Sequence, residues 1–192
     1  MRPYLPGAAK HPPRRVPLSE PSMPLSMHRA SVPVFVRALE VLATLLDKGE
    51  AHARAQGQNP DDLVAARLAD DMLPLSGQVQ RASDASKGAV SRLTGVEAPA
   101  MPDEETSFAQ LQKRVADTLA YIRSVDAAAF EGSEDRTVEL KLPGGVLTFT
   151  GEDYLFGFAL PNFFFHVVTA YDILRHKGVQ IGKLDYLGPV QG

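Results

Sequence analysis

The sequence predicts an all-α protein built on a four-helix bundle, with a small β-hairpin before the last helix. Four segments carry apolar residues at helical spacing, and glycines or prolines separate them. One stretch, residues 138–150, alternates apolar and polar residues instead, as a strand pair does. At 192 residues the chain is long enough for one domain with a sizeable core.

The first helix is predicted over residues 32–56. Ser31 is the expected N-cap, Pro33 falls in the tolerated first turn, and Gly57 is expected to stop the helix. A long connection follows and contains a short predicted helix, residues 59–68. The core-facing stripe of the first helix consists of Phe35, Leu39, Leu42 and Leu46.

The second helix is predicted over residues 74–93 and is closed by Gly95. Its apolar stripe is narrow and rich in small residues, which indicates close packing against a neighbouring helix. A Pro-containing linker leads to the third helix, where Ser107 and Gln110 have the spacing of a capping box. One face of the third helix carries Phe108, Leu111, Val115, Leu119 and Ile122.

A hairpin and the most apolar helix complete the predicted domain. The alternating residues 138–142 and an extended run at 146–150 flank the turn Pro143-Gly144-Gly145. The fourth helix is predicted over residues 151–177. Its first half has almost no polar face, so we expect burial either inside the bundle or against a second subunit. Pro161 cannot donate a backbone hydrogen bond and is expected to kink this helix.

Composition excludes several classes of function. The formal net charge is −3 and the pI is near 5.9, which argues against binding to nucleic acid or to an anionic membrane. The absence of cysteine excludes disulfides, thiolate zinc sites and a cysteine nucleophile. The longest apolar run is interrupted by polar residues, so we expect no membrane span. We therefore predict a cytoplasmic protein.

Residues 1–26 stand apart from the predicted bundle domain, residues 27–192. The first 22 residues contain six prolines and the basic residues Lys10, Arg14 and Arg15, and they lack the continuous apolar stretch of a signal peptide. We expect a disordered Pro-rich extension, or a start assigned upstream of Met23 or Met27, rather than a functional arm.

A set of segments between residues 27 and 187 indicates which kind of bundle this is. They are Ser31–Phe35, Asp71–Leu75, Gln78–Gln80, Phe158–His166, Thr169–Tyr171, Leu174–His176, Gly178–Lys183 and Asp185. With the four helices, the long first connection and the hairpin, they resemble the DinB/YfiT-like superfamily of metal-dependent enzymes. Within it, the chain is most similar to an uncharacterised domain-of-unknown-function branch. The resemblance implies an up-down-down-up four-helix bundle.

The resemblance also implies where a metal site would lie. Better-known members of the superfamily hold a divalent metal with one histidine on the second helix and an H-x-x-x-H pair on the fourth. The corresponding positions here are Gln78, Asn162 and His166. Neutral amide oxygens bind zinc and nickel weakly, so the metal triad is degenerate and His166 is its only residual ligand. A divalent metal cofactor is therefore left undetermined.

His166 is the candidate catalytic residue. In one interpretation it is an acid/base group or residual metal ligand in a small-molecule pocket near the kink, beside Asn162 and Gln78. In the other interpretation it is a core histidine with one nitrogen bonded to a neighbour. Asn162 likewise either lines the pocket or bonds the backbone carbonyl that Pro161 leaves free.

Asp71, Tyr154 and Tyr171 complete the predicted pocket. Asp71 offers a carboxylate, although acids just before a helix are more often caps. The two tyrosines combine an apolar body with a polar tip and suit either a pocket or an interface. Two classes of function remain open. One is an enzyme, a transferase or hydrolase by resemblance alone. The other is a non-catalytic binding or structural module that forms a homodimer.

Overall fold

The structure of the protein, a computed structural model, describes residues 25–142 and 144–188. The helices are α1 (Met27–Ala55), α2 (Asp61–Val64), α3 (Leu75–Thr94), α4 (Phe108–Ser124), α5 (Gly151–Tyr154), α6 (Leu160–His176) and α7 (Lys183–Leu187). Strands β1 (Val138–Leu142) and β2 (Gly145–Phe149) pair antiparallel between α4 and α5. The described fold is therefore mainly helical, with a two-stranded hairpin before the last long helix. The predicted extension lies, up to residue 24, outside the described residues.

Helix α1 begins five residues before its predicted start. Its N-cap is Ser26, whose side chain accepts a hydrogen bond from the Arg29 backbone at 3.3 Å. Ser31 lies inside the helix and donates to the Met27 carbonyl at 2.6 Å, and Pro33 is also interior. The prediction that Ser31 is the N-cap is wrong because a serine hydroxyl can bond the backbone either at a cap or one turn inside a helix.

Helix α3 begins and ends close to its predicted limits, and α4 begins directly after the predicted capping residue Ser107. Gly95 ends α3 with φ of 80°, a left-handed conformation that favours glycine, and its N–H donates to the Ser91 carbonyl at 2.7 Å. At the start of α4, the Ser107 hydroxyl accepts from the Gln110 backbone at 3.3 Å. The Gln110 side chain accepts from the Ser107 backbone at 3.1 Å, so the predicted capping box is confirmed.

A π-helical turn, Leu155–Ala159, joins α5 and α6 into one continuous helix. Within it, the Leu160 N–H donates to the Leu155 carbonyl five residues earlier. The turn lies just before Pro161, which has no N–H to continue the regular hydrogen-bond pattern. The disturbance predicted at this proline therefore takes the form of a π-turn. Gly151 begins the helix so close to the connection before β1 that an added Cβ would lie 1.8 Å from the Ser133 carbonyl oxygen.

The core lies between the four long helices. Helix α1 packs on α4 and α6, and helix α3 packs on the same two partners. Phe35 of α1 meets Phe163 of α6 edge to face, with ring centroids 4.9 Å apart. The predicted apolar stripe of α1 is confirmed, because Phe35, Leu39, Leu42 and Leu46 are all fully buried.

Helix α6 is buried on two sides and exposed on a third. Phe165 and Val168 expose 56% and 39% of their surface, so the helix is not enclosed all round within the chain. The continuous helix Gly151–His176 is long and apolar enough to cross a membrane by length and composition alone. The core helix of a soluble protein meets the same criterion, and this helix packs on α1 and α3. The described residues form a fold typical of a soluble globular domain.

Candidate functional site

Helices α3 and α6 bring two of the predicted site residues into direct contact. The Nδ1 atom of His166 lies 2.8 Å from the Oε1 atom of Gln78. Gln78 is only 1% exposed, and its Nε2 donates to the Leu73 carbonyl at 3.0 Å. Because Leu73 lies just before α3, this second bond ties the amide to the entrance of its own helix. The Gln78 side chain is therefore held at both ends.

The bonds of Gln78 assign the proton on His166. The amide nitrogen is committed to the Leu73 carbonyl, so the amide oxygen faces the imidazole and can only accept. His166 therefore donates from Nδ1, and its Nε2 carries a lone pair in the neutral ring. Nε2 makes no hydrogen bond to the described residues. Nε2 is not fully buried within the described part of the chain, so it is accessible to solvent.

The surroundings of His166 favour its neutral form. Burial lowers the pKa of the imidazole below its ordinary value of 6.5, and the positive charge of Arg81 lowers it further. Arg81 lies one turn after Gln78 on α3 and forms ion pairs with Asp84 and Asp103. At pH 7 the accessible Nε2 is therefore mainly unprotonated and able to accept a proton.

The other predicted site residues do not join this pair. Asn162 is half-buried one turn before His166, and its side chain makes no hydrogen bond to the described residues. Asp71 is exposed in the connection before α3. Tyr154 is buried, its hydroxyl accepts from Arg92 Nη1 at 3.2 Å, and burial raises its pKa. Tyr171 packs edge to face on Tyr186. The pocket expected to unite all six residues stays a prediction.

The arrangement does not fit a divalent metal. Gln78 and His166 occupy two of the three ligand positions that the resemblance implies, yet they bond each other instead of converging on a point. Gln78 thus acts as an orienting partner of the imidazole. Among the residues at 25–142 and 144–188, no group of three His, Cys, Asp or Glu side chains is placed to hold a metal ion.

A second polar cluster, the Arg114 cluster, surrounds the buried Arg114 with Asp84, Asp103 and Glu105. The Arg114 side chain is 1% exposed, and its guanidinium lies 2.9 Å from Asp84, 3.1 Å from Asp103 and 2.9 Å from Glu105. Burial alone would raise the pKa of Glu105, but hydrogen bonds from Arg114 and Gln80 outweigh it and hold the pKa below its usual range. Sequence analysis missed this cluster because its members come from α3, α4 and the linker between them.

The fold and the α3–α6 packing are those of a DinB-like helical protein. The chain is similar to the crystal structure of a DinB family member protein from Shewanella denitrificans, with 39% identity and a TM-score of 0.77. The match covers 85% of this chain and 92% of that one. The family model described as "Domain of unknown function (DUF1993)" matches residues 27–187, and the chain belongs to this family. No curated protein matches it. The predicted resemblance is confirmed.

Proposed function

We propose that this DUF1993 protein binds a small molecule beside the α3–α6 pair and uses His166 as a proton acceptor. The observation that carries the proposal is the 2.8 Å hydrogen bond from His166 Nδ1 to Gln78 Oε1. A buried amide that is itself bonded to the Leu73 carbonyl fixes both the tautomer and the orientation of the ring. General-base histidines are oriented in this way, with one nitrogen bonded and the other free.

The free nitrogen suits a transfer or hydrolysis reaction. A neutral imidazole can accept a proton from water, a hydroxyl or a thiol while that group attacks an electrophilic centre. The lowered pKa of His166 keeps the base unprotonated at pH 7. Asn162, one helical turn earlier, is proposed as a further contact of the small molecule.

The experiment uses p-nitrophenyl acetate as a general acyl probe. His166→Gln keeps a polar side chain but removes the base, and we expect the protein-dependent rate at pH 7.5 to fall by about tenfold or more, because a positioned base contributes roughly 10²–10⁴-fold. His176→Gln is the matched control, since His176 lies exposed on the same helix. Equal rates for wild type and a folded His166→Gln variant would exclude the proposed base.

A divalent metal is the alternative cofactor, and elemental analysis tests it. Protein purified without a chelator or a histidine tag is compared with His166→Ala. We expect no stoichiometric metal in either protein, because the Gln78 oxygen is already engaged by His166. Near-stoichiometric metal in the wild type that disappears in the variant would contradict this expectation.

A second candidate function is a non-catalytic homodimeric binding or structural module. The specific observation in its favour is the exposure of Phe165 and Val168 on one face of α6. Large apolar side chains that are neighbours on an exposed helix face are typical of interfaces. A second copy seated there would also cover the approach to His166, the next residue along the chain.

Sedimentation of wild type and Phe165→Glu separates these candidates. We expect a wild-type dimer and a monomeric variant, while Leu184→Glu, at a 79% exposed leucine of α7, stays dimeric as the matched control. A dimer without activity on the acyl probe would favour the non-catalytic module. A wild-type monomer would exclude the homodimer.

We further propose that the protein is cytoplasmic. We also propose that its four long helices run up-down-down-up. Contacts near both ends of the paired helices support this order. They are Phe35–Phe163 and Gly49–Leu174 for parallel α1 and α6, Gln78–His166 and Arg92–Tyr154 for antiparallel α3 and α6, and Glu40–Arg123 and Asp47–Gln112 for antiparallel α1 and α4.

A further inference from the structure

A cavity of about 380 Å³ lies between α1, α6 and α7, on the side of α6 that faces α1. Its apolar lining comes from Val34, Ala38 and Val41 of α1 and from Phe164 and Val167 of α6. This volume falls within the range of small-molecule sites, roughly 300–1,000 Å³. The cavity is separate from the His166 pair, which faces α3.

Helix α7 forms one wall of the cavity through Tyr186 and Leu187. Two contacts hold this short helix against α1. The Nη2 atom of Arg37 donates to the Leu187 carbonyl at 2.6 Å, and Lys48 forms an ion pair with Asp185. The wall is therefore attached to α1 on both sides of Tyr186.

Two polar side chains stand in this otherwise apolar lining. Arg37 bonds the Leu187 carbonyl, and no carboxylate of the described residues forms an ion pair with it. The nearby acids are engaged elsewhere, Glu40 by Arg123 and Asp185 by Lys48. The Tyr186 hydroxyl makes no hydrogen bond within the described part of the chain. The cavity thus offers a positive charge and a neutral donor beside an apolar interior.

We propose that this cavity binds a monocarboxylate with an apolar body, of the class of a medium-chain fatty acid. The carboxylate accepts hydrogen bonds from Arg37 and Tyr186, since a guanidinium has several donors and spends one on Leu187. The chain lies against Phe164 and Val167, where its burial removes apolar surface from water. One arginine balances the single negative charge of a carboxylate but not the roughly two charges of a phosphate monoester, so the carboxylate is favoured.

Octanoate is the probe, titrated calorimetrically into the full chain, with 1-octanol as the uncharged comparison. We expect saturable one-to-one binding of octanoate. Arg37→Gln should weaken octanoate binding by about tenfold more than 1-octanol binding, because loss of the Leu187 contact affects both ligands and loss of the charge affects octanoate alone. Tyr186→Phe should weaken it less. Arg29→Gln, at an exposed arginine two turns earlier on α1, is the matched control and should bind as wild type does.

Two further variants keep the outcome unambiguous. Val34→Trp fills the cavity and should abolish octanoate binding while the thermal melt shows a folded protein. His166→Gln should bind octanoate unchanged, so this proposal and the acyl-probe result fail independently. Absence of saturable binding to the wild type, or the same affinity in wild type and folded Arg37→Gln, would overturn the assignment.

Discussion

Helix α3 contributes to two polar clusters, each built around one buried side chain, Arg114 facing α3 from α4 and Gln78 facing α6. In the Arg114 cluster a buried guanidinium meets three carboxylates at 2.9–3.1 Å, and of its nitrogens only Nε lacks a partner among the described residues. In the His166–Gln78 pair one 2.8 Å bond joins the side chains and Nε2 stays unbonded. The first cluster is paired internally, with a cavity of about 310 Å³ against Arg114 and Glu105, whereas the second has one unbonded ring nitrogen.

The difference indicates which cluster serves the fold and which is available for chemistry. A ligand at the Arg114 cluster would have to replace ion pairs that already compensate a buried charge, and such pairs are costly to break. A ligand at Nε2 of His166 would displace only water. We therefore expect substitutions in the Arg114 cluster to act on the free energy of unfolding, and substitutions in the His166–Gln78 pair to act mainly on reactivity.

Arg114→Leu gives the largest expected loss of stability. It leaves Glu105 without its guanidinium partner, while Asp84 and Asp103 keep Arg81, and we expect the free energy of unfolding to fall by about 2 kcal/mol. Urea denaturation at pH 7 measures this change. Arg123→Leu is the control, because its pair with Glu40 is exposed and should contribute no more than about 1 kcal/mol. Equal losses in both variants would remove the distinction between buried and exposed pairs.

Gln78→Leu should lower the free energy of unfolding by about 1–2 kcal/mol, because it leaves the Leu73 carbonyl without its side-chain donor. Its main effect should be on His166. Two-bond proton–nitrogen NMR correlations should show the Nδ1–H tautomer in the wild type and a shift toward the Nε2–H tautomer in the variant. A wild-type spectrum dominated by Nε2–H would contradict the proton assignment.

Acid should weaken the two clusters in separate pH windows. Burial lowers the folded-state pKa of His166, and Arg81 makes a smaller contribution. The contribution of the neutral imidazole to stability is therefore complete above about pH 6.5, and it is lost as the pH falls through the folded-state pKa. The pKa of Glu105 is also lowered, despite the opposing effect of burial. The contribution of its carboxylate to stability is therefore lost at lower pH, below the ordinary glutamate pKa of 4.5. Unfolding free energies between pH 3 and 8 should show both losses. His166→Gln should remove only the upper one and Glu105→Gln only the lower one.

Asn162→Ala should have the smallest effect, a change in the free energy of unfolding within about 0.5 kcal/mol. The reason is that its side chain makes no hydrogen bond to the described residues. Thermal denaturation against the wild type provides the measurement. A loss above about 1 kcal/mol would mean that Asn162 belongs to a bonded core cluster.

Elements with strong local signals were predictable from the sequence. Gly95, the Ser107–Gln110 capping box and the alternating residues of the hairpin each specify their structure within a few positions. The start of α1 was not predictable, because Ser26 and Ser31 are both able to bond the backbone there. Pro161 predicted a disturbance in the last helix, but its form depends on how the helix packs on its neighbours.

The candidate site was predictable in membership but not in geometry. His166 and Gln78 were selected through the family resemblance, yet their direct bond depends on side-chain torsions that packing between α3 and α6 determines. The Arg114 cluster gave no local signal, since Asp84 lies 30 residues before Arg114 along the chain. Contacts of this kind follow from tertiary structure alone.

The π-turn at Leu155–Ala159 sets the rotational phase of the last helix. Tyr154 and His166, which bond Arg92 and Gln78 of α3, are twelve residues apart, or about 3.3 turns of regular α-helix. In a regular α-helix the two side chains would point in directions about a third of a turn apart around the helix axis. The extra residue taken up by the wide turn brings the interval close to three whole turns, so both side chains meet α3. Regularising this turn while keeping every residue would leave an unbroken helix whose two halves could no longer engage α3 together.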